Sequence, residues 1–167
     1  MLKFGITADN HFGDKKEVLG EVVRSTGMFA DTAKREKLDA VIISGDLMDT
    51  RVMMDSPAAL AAKNFIMELA KICPVLLVRG TDLHDFDSLE MFRGLANVMV
   101  VSDVRQMFFK KAFGFCSVEG EIPGAKPDAV ISCLPSLSKA FLLSVGVKPD
   151  AAENETVRLV EEVVRGW

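Results

Sequence analysis

The chain has 167 residues, 49% of them hydrophobic and 26% charged, enough to bury one sizeable core as a single domain over residues 1–167. Its net charge of -4 argues against a surface that holds nucleic acid mainly by counterion release, because such surfaces are basic. Any contact with DNA therefore has to draw phosphate by something other than net charge.

Residues 2–6 form a short apolar run that breaks into Thr7-Ala8-Asp9-Asn10-His11, the pattern of a strand entering a polar loop. Asp14 followed by Glu17 three residues later suggests a capped helix start, and residues 15–37 read as that helix. Val18, Val22, Met28, Phe29 and Ala33 supply its apolar positions, with Gly20 and Gly27 weakening or kinking it. Ala40-Val41-Ile42-Ile43 is apolar without alternation and ends at Ser44-Gly45-Asp46, as expected of a strand covered on both faces in a parallel sheet. Pro57 opens a second helix to about residue 71, with Ala58, Ala61, Phe65, Met67 and Leu69 on its apolar side, and residues 74–78 repeat the buried-strand pattern. Residues 87–96 read as a short helix, 98–101 as a strand, and 106–118 as two strands with a turn near 111–113. Residues 129–134 read as a further buried strand, and 154–165 as a helix with Val157, Val160 and Val164 on one stripe. Alternating strands and helices make the chain α/β, and the stretches 120–128 and 146–154 are too short to divide domains.

Cys73, Cys116 and Cys133 are irregularly spaced within apolar runs, so they read as buried reduced thiols, which fits a cytoplasmic setting. No run of 18 apolar residues predicts a membrane span, and residues 1–7 are too short for a secretory core.

Three polar clusters each follow the carboxyl end of an apolar strand: Asp9-Asn10-His11, Gly45-Asp46-Leu47-Met48-Asp49, and Gly80-Thr81-Asp82-Leu83-His84-Asp85. In a parallel sheet these ends share one edge, where ligands of open α/β sheets bind. Singly each cluster has an ordinary explanation: Asp9 could be a turn or cap residue, and Gly45-Asp46 a strand-to-loop turn. Jointly they place both of the chain's histidines, His11 and His84, beside aspartates, a donor set for a borderline divalent metal. Carboxylates and imidazoles around two cations roughly 3.5 to 4 Å apart would clamp a phosphate ester and activate water, so an acidic domain could still act on DNA or nucleotides.

At these residues the chain resembles the calcineurin-like metallophosphoesterases. Asp9-Asn10-His11-Phe12-Gly13 is similar to their Asp-x-His-x-Gly motif, and Gly45-Asp46-Leu47-Met48-Asp49 to their Gly-Asp-x-x-Asp motif. The string Ser44 to Thr50, the following Ser56-Pro57, and Leu134-Pro135-Ser136-Leu137-Ser138-Lys139 look more like the SbcD-type DNA nuclease subunits of that superfamily. The resemblance implies a layered α/β fold with buried sheet strands and flanking helices, cut short at its carboxyl end. It implies that Asp9 and His11 bind a first metal and Asp46 bridges two, usually manganese, while His84 and Asp85 form the pair that protonates the leaving oxygen. The third motif departs from the family's Gly-Asn-His-Asp, leaving Asp49, Thr81 and Asp82 as further candidate ligands. No histidine follows His84, whereas the family uses later ones.

The expected function is metal-dependent hydrolysis of DNA ends in repair or recombination, with an SbcC-type ATPase subunit as partner by resemblance, a homodimer as a further option, and no membrane partner. The alternatives are a catalytically degenerate binding module on the same fold and a phosphodiesterase for small nucleotides.

Overall fold

The computed structural model of the chain describes residues 1–85, 87–117, 126–137, 143, 148 and 152–167. The chain divides into two compact units, Met1–Pro135 and Ser136–Trp167.

In the first unit four strands form a parallel sheet: β1 (Phe4–Thr7), β2 (Ala40–Ser44), β3 (Val75–Val78) and β4 (Val98–Val101), in the order β1-β2-β3-β4. Thr7 lies opposite Ile43, Ser44 opposite Val78, and Val78 opposite Val101, so the strands end nearly level. Helix α1 (Lys16–Glu36) connects β1 to β2, α2 (Pro57–Ile72) connects β2 to β3, and a single 3-10 segment (Ser88–Phe92) precedes β4. A strand order that rises steadily, joined by right-handed crossovers, sets every connection on one face of the sheet. Packing agrees, since Val41, Ile43, Val75 and Leu77 share one core with Ala33 of α1 and Phe65 of α2.

The alternate strand residues need a second cover, and it is a sheet rather than a helix layer. Strands β5 (Arg105–Lys110), β6 (Gly114–Ser117) and β7 (Ala129–Cys133) form an antiparallel sheet in the order β6-β5-β7. Leu76, Val101, Ile42 and Met99 pack against Met107 and Cys133 there. The hairpin expected over 106–118 is present as β5 and β6, with Val118 outside the described residues. β7 differs from expectation: its burial alternates and Val130 is exposed, because it pairs in a sheet with only one covered face.

Helix α1 buries Thr26, Ala30 and Ala33 and packs Leu19, Val22 and Phe29 against the core, whereas Val18 and Met28 face solvent. It is not capped by Asp14. Lys15 stands at its N-cap with no side-chain bond, and Asp14 Oδ1 instead accepts from Ala58 N at 3.1 Å, in the first turn of α2. Ser56 caps α2 as well, accepting from Ala59 N at 3.2 Å, ahead of Pro57 at its first position.

Cys73 and Cys133 are buried, Cys116 is partly so, and none is in a disulfide. Burial pushes the Cys73 and Cys133 thiols up to about 11.

In the second unit helix α3 (Ala152–Gly166) carries the ion pairs Arg158–Glu162 and Arg165–Glu161 four residues apart. Of its expected apolar stripe, Val157 and Val164 are exposed and Val160 is half-buried. Ser138 and Lys139 lie outside the described residues, as do most of 120–128 and of 146–154. Among the described residues no helix is long and apolar enough to cross a membrane.

Candidate metal centre

The first two polar clusters are not free loops, because β1 and β2 go on pairing past their ends. Asp9 N donates to Gly45 O at 3.1 Å, His11 N to Asp46 O at 3.1 Å, and Phe12 N to Leu47 O at 2.9 Å; Asp49 N donates back to Phe12 O at 3.0 Å. Phe12, Leu47 and Met48 anchor this extension in the core. Just ahead of these anchors in the chain, Asp9, His11 and Asp46 take left-handed backbone, with φ of 50°, 52° and 50°. That conformation costs most residues about 1–2 kcal/mol, and aspartate less, because its short polar side chain can bond locally; such costs concentrate at functional sites where the surroundings enforce them.

The third cluster meets the second at Gly45, which has φ 99°, and Gly80. A Cβ on Gly45 would lie 2.9 Å from Gly80 Cα, and one on Gly80 would lie 2.2 Å from Asp46 N. Two glycines thus let the β2 and β3 loops touch backbone to backbone. Asp85 locks the contact from beneath. Its carboxylate is 0% exposed; Oδ2 accepts from Asp46 N at 2.9 Å and Gly80 N at 2.7 Å, and Oδ1 from Met48 N at 3.2 Å. Burial raises the Asp85 carboxyl above the usual range, against the pull of these amides.

Asp46 is aimed by Thr81, whose N–H and Oγ1 donate to Asp46 Oδ1 at 2.7 and 3.1 Å. The ring of His11 lies between two carboxylates: Nε2 is 3.9 Å from Asp9 Oδ1 and Nδ1 is 3.8 Å from Asp49 Oδ1. His84 Nδ1 makes a short hydrogen bond with the main-chain carbonyl of Asp49. A carbonyl only accepts, so Nδ1 carries the proton and Nε2 of the neutral ring keeps its lone pair. The two imidazoles stand edge to face with centroids 4.6 Å apart.

Asp9, His11 and Asp46 present ligand atoms within 4.8 Å of one another, and so do His11, Asp49 and His84. Carboxylate and imidazole donors suit manganese, zinc or iron. The buried Oδ1 of Asn10, between Asp9 and His11 in the chain, has no hydrogen-bond partner among the described residues, as befits a polar cradle built for more than its own bonds. The residues present therefore fit a divalent cation.

Of the sequence candidates, Asp9, His11, Asp46, Asp49 and His84 come together. Thr81 touches the group through Asp46, Asp82 lies 3.7 Å from Arg79, and Asp85 faces backbone amides. Sequence reasoning did not anticipate that Asp85 supports two loops at once, or that Asp49 approaches both histidines. The spacing of Asp49, three residues past Asp46 in one loop, was the available signal for the latter. No family model matches the chain, and neither does any curated protein.

Proposed function

We propose that this chain is a metal-dependent phosphodiester hydrolase of the calcineurin-like metallophosphoesterase type, acting on DNA ends as SbcD-type nuclease subunits do. The observation that carries the reading is the convergence of Asp9, His11 and Asp46, all in left-handed backbone, at one edge of a parallel sheet. Asp9 and His11 would hold one divalent ion, with manganese the expected metal. Asp46, steadied by Thr81 through Oδ1, would reach that ion and a second one. When bound, such ions neutralise the phosphoryl oxygens and lower the pKa of the attacking water. His84, held at Nδ1 by the Asp49 carbonyl, keeps Nε2 open as the position that would first take up a proton and then, from the doubly protonated ring, pass it to the leaving oxygen. Asp85 sits under this pair as a support for the loops.

A second reading is favoured by one sequence fact: no histidine follows His84, so these 167 residues offer a second ion few donors. On that reading the edge binds cation and phosphate without cleaving.

Calorimetric titration with manganese, paired with a nuclease assay on linear DNA, separates the two. Two sites with cleavage support the hydrolase, one weak site without cleavage supports the binding module, and no binding sinks both. Asp46→Asn is expected to abolish manganese binding with a near wild-type urea midpoint, because the amide oxygen still accepts from Thr81; unchanged affinity would remove Asp46 from the ligand set.

A further inference from the structure

Asp49 reaches the candidate centre by a route distinct from Asp9 and Asp46. Its N–H is bonded to Phe12 O at 3.0 Å, and its side chain lies where Gly13 has no Cβ; a Cβ there would meet Asp49 Oδ2 at 2.8 Å and Asp49 Cβ at 2.9 Å. So placed, its Oδ1 stands 3.8 Å from His11 Nδ1, an atom that is buried and has no hydrogen-bond partner among the described residues. Water cannot reach this nitrogen to compensate it. A lone pair there would face a carboxylate oxygen and be repelled, whereas an N–H would face it and be attracted. Across the ring, Nε2 faces Asp9, whose side chain is 72% exposed, so solvent or an ion can satisfy that edge.

We infer that Asp49 is a positioning residue: its carboxylate holds His11 as the Nδ1–H tautomer and so turns the Nε2 lone pair toward Asp9 and Asp46. This rests on the metal-centre reading above and deepens it, assigning the carboxylate–histidine–metal relay by which outer partners orient a ligand and raise its basicity. His84 is fixed differently, by the main-chain oxygen of the same residue, and so does not depend on the Asp49 side chain.

The chain's two histidines make the test direct. Ring nitrogen NMR of the metal-free protein, at a pH where both rings are neutral, is expected to show Nδ1–H for both in the wild type. In Asp49→Ala His11 should lose that preference while His84 keeps it. Manganese affinity should fall about 10- to 100-fold, and Asp49→Asn, whose amide oxygen still accepts from Nδ1–H, should restore the tautomer and part of the affinity. Gly13→Ala, which crowds the carboxylate without removing it, should reproduce the His11 change and guards against a misfolded Asp49→Ala. An Nε2–H tautomer for wild-type His11, or a tautomer unchanged in both Asp49→Ala and Gly13→Ala, overturns the assignment. So does an Asp49→Asn as weak as Asp49→Ala, which would make Asp49 a direct ligand. A wild-type chain that binds no manganese defeats the hydrolase reading instead, and the His11 tautomer is still read in the metal-free protein.

Discussion

Asp85 stands next to His84 in sequence, and the family resemblance implied a reacting pair, yet its carboxylate points down to the amides of Asp46, Met48 and Gly80. Without it the Met48 amide is left buried and the Asp46 and Gly80 amides part-buried with no acceptor, and a buried unsatisfied donor costs about 1–3 kcal/mol, so Asp85→Ala should lower stability by about that much in urea unfolding. A loss below about 1 kcal/mol would mean that the loops hold without it. The sign of its pH effect follows from burial. With the folded carboxyl raised, its ionisation works against the fold fully above that raised pKa. The penalty fades as pH drops through it and is gone below the unfolded value of about 3.9. Nothing in a one-dimensional string separates this aspartate from the exposed Asp9, because the difference is which backbone N–H groups surround each.

At the scale of elements, strands and helices were largely legible, since periodicity and buried-strand runs are local signals. The helix expected over 15–37 runs Lys16–Glu36, and the one begun at Pro57 ends at Ile72. What periodicity misjudged is rotation: Val18 and Met28 were expected inward and are exposed, because the face that packs on the core is the one carrying Leu19, Val22, Thr26, Phe29, Ala30 and Ala33. Gly20 and Gly27 leave α1 continuous, and a Cβ at either meets nothing within 4 Å. Gly20→Ala and Gly27→Ala should each add about 0.5–1 kcal/mol in urea unfolding; a loss would reveal a neighbour for the new methyl. Asp14 shows the opposite limit of local reasoning, as a capping residue of a helix 44 positions away in the chain. Asp14→Ala should cost about 1 kcal/mol, with hydrogen exchange accelerating at Ala58 in α2; acceleration confined to the first turn of α1 would restore the capping box.

In the first unit as a whole, the end of the parallel sheet opposite the candidate centre is tied by Asp39. It accepts from Lys3 N at 2.8 Å and pairs with Lys111 Nζ in the β5–β6 turn. The Lys111 ammonium, and then the Lys3 amide, hold the Asp39 carboxyl below its usual range. A carboxyl lowered by folding stabilises above its unfolded pKa, and that contribution is lost as pH falls through the folded value. Asp39→Asn should therefore show a smaller drop in melting temperature between pH 6 and pH 3 than the wild type; parallel curves would show that the pair contributes nothing measurable. The sequence by itself determined the alternation of strands and helices, the parallel sheet, and the placing of Asp9, His11, Asp46 and His84 just past strand ends. These follow from residue spacing along the chain and from the handedness of crossovers. Only the tertiary structure decided that a second sheet covers the other face, that Gly45 meets Gly80, that Asp85 is buried beneath the loops, and that Asp49 faces His11. Each depends on which backbone groups and side chains the fold brings within a few ångströms, a quantity that spacing along one segment does not contain.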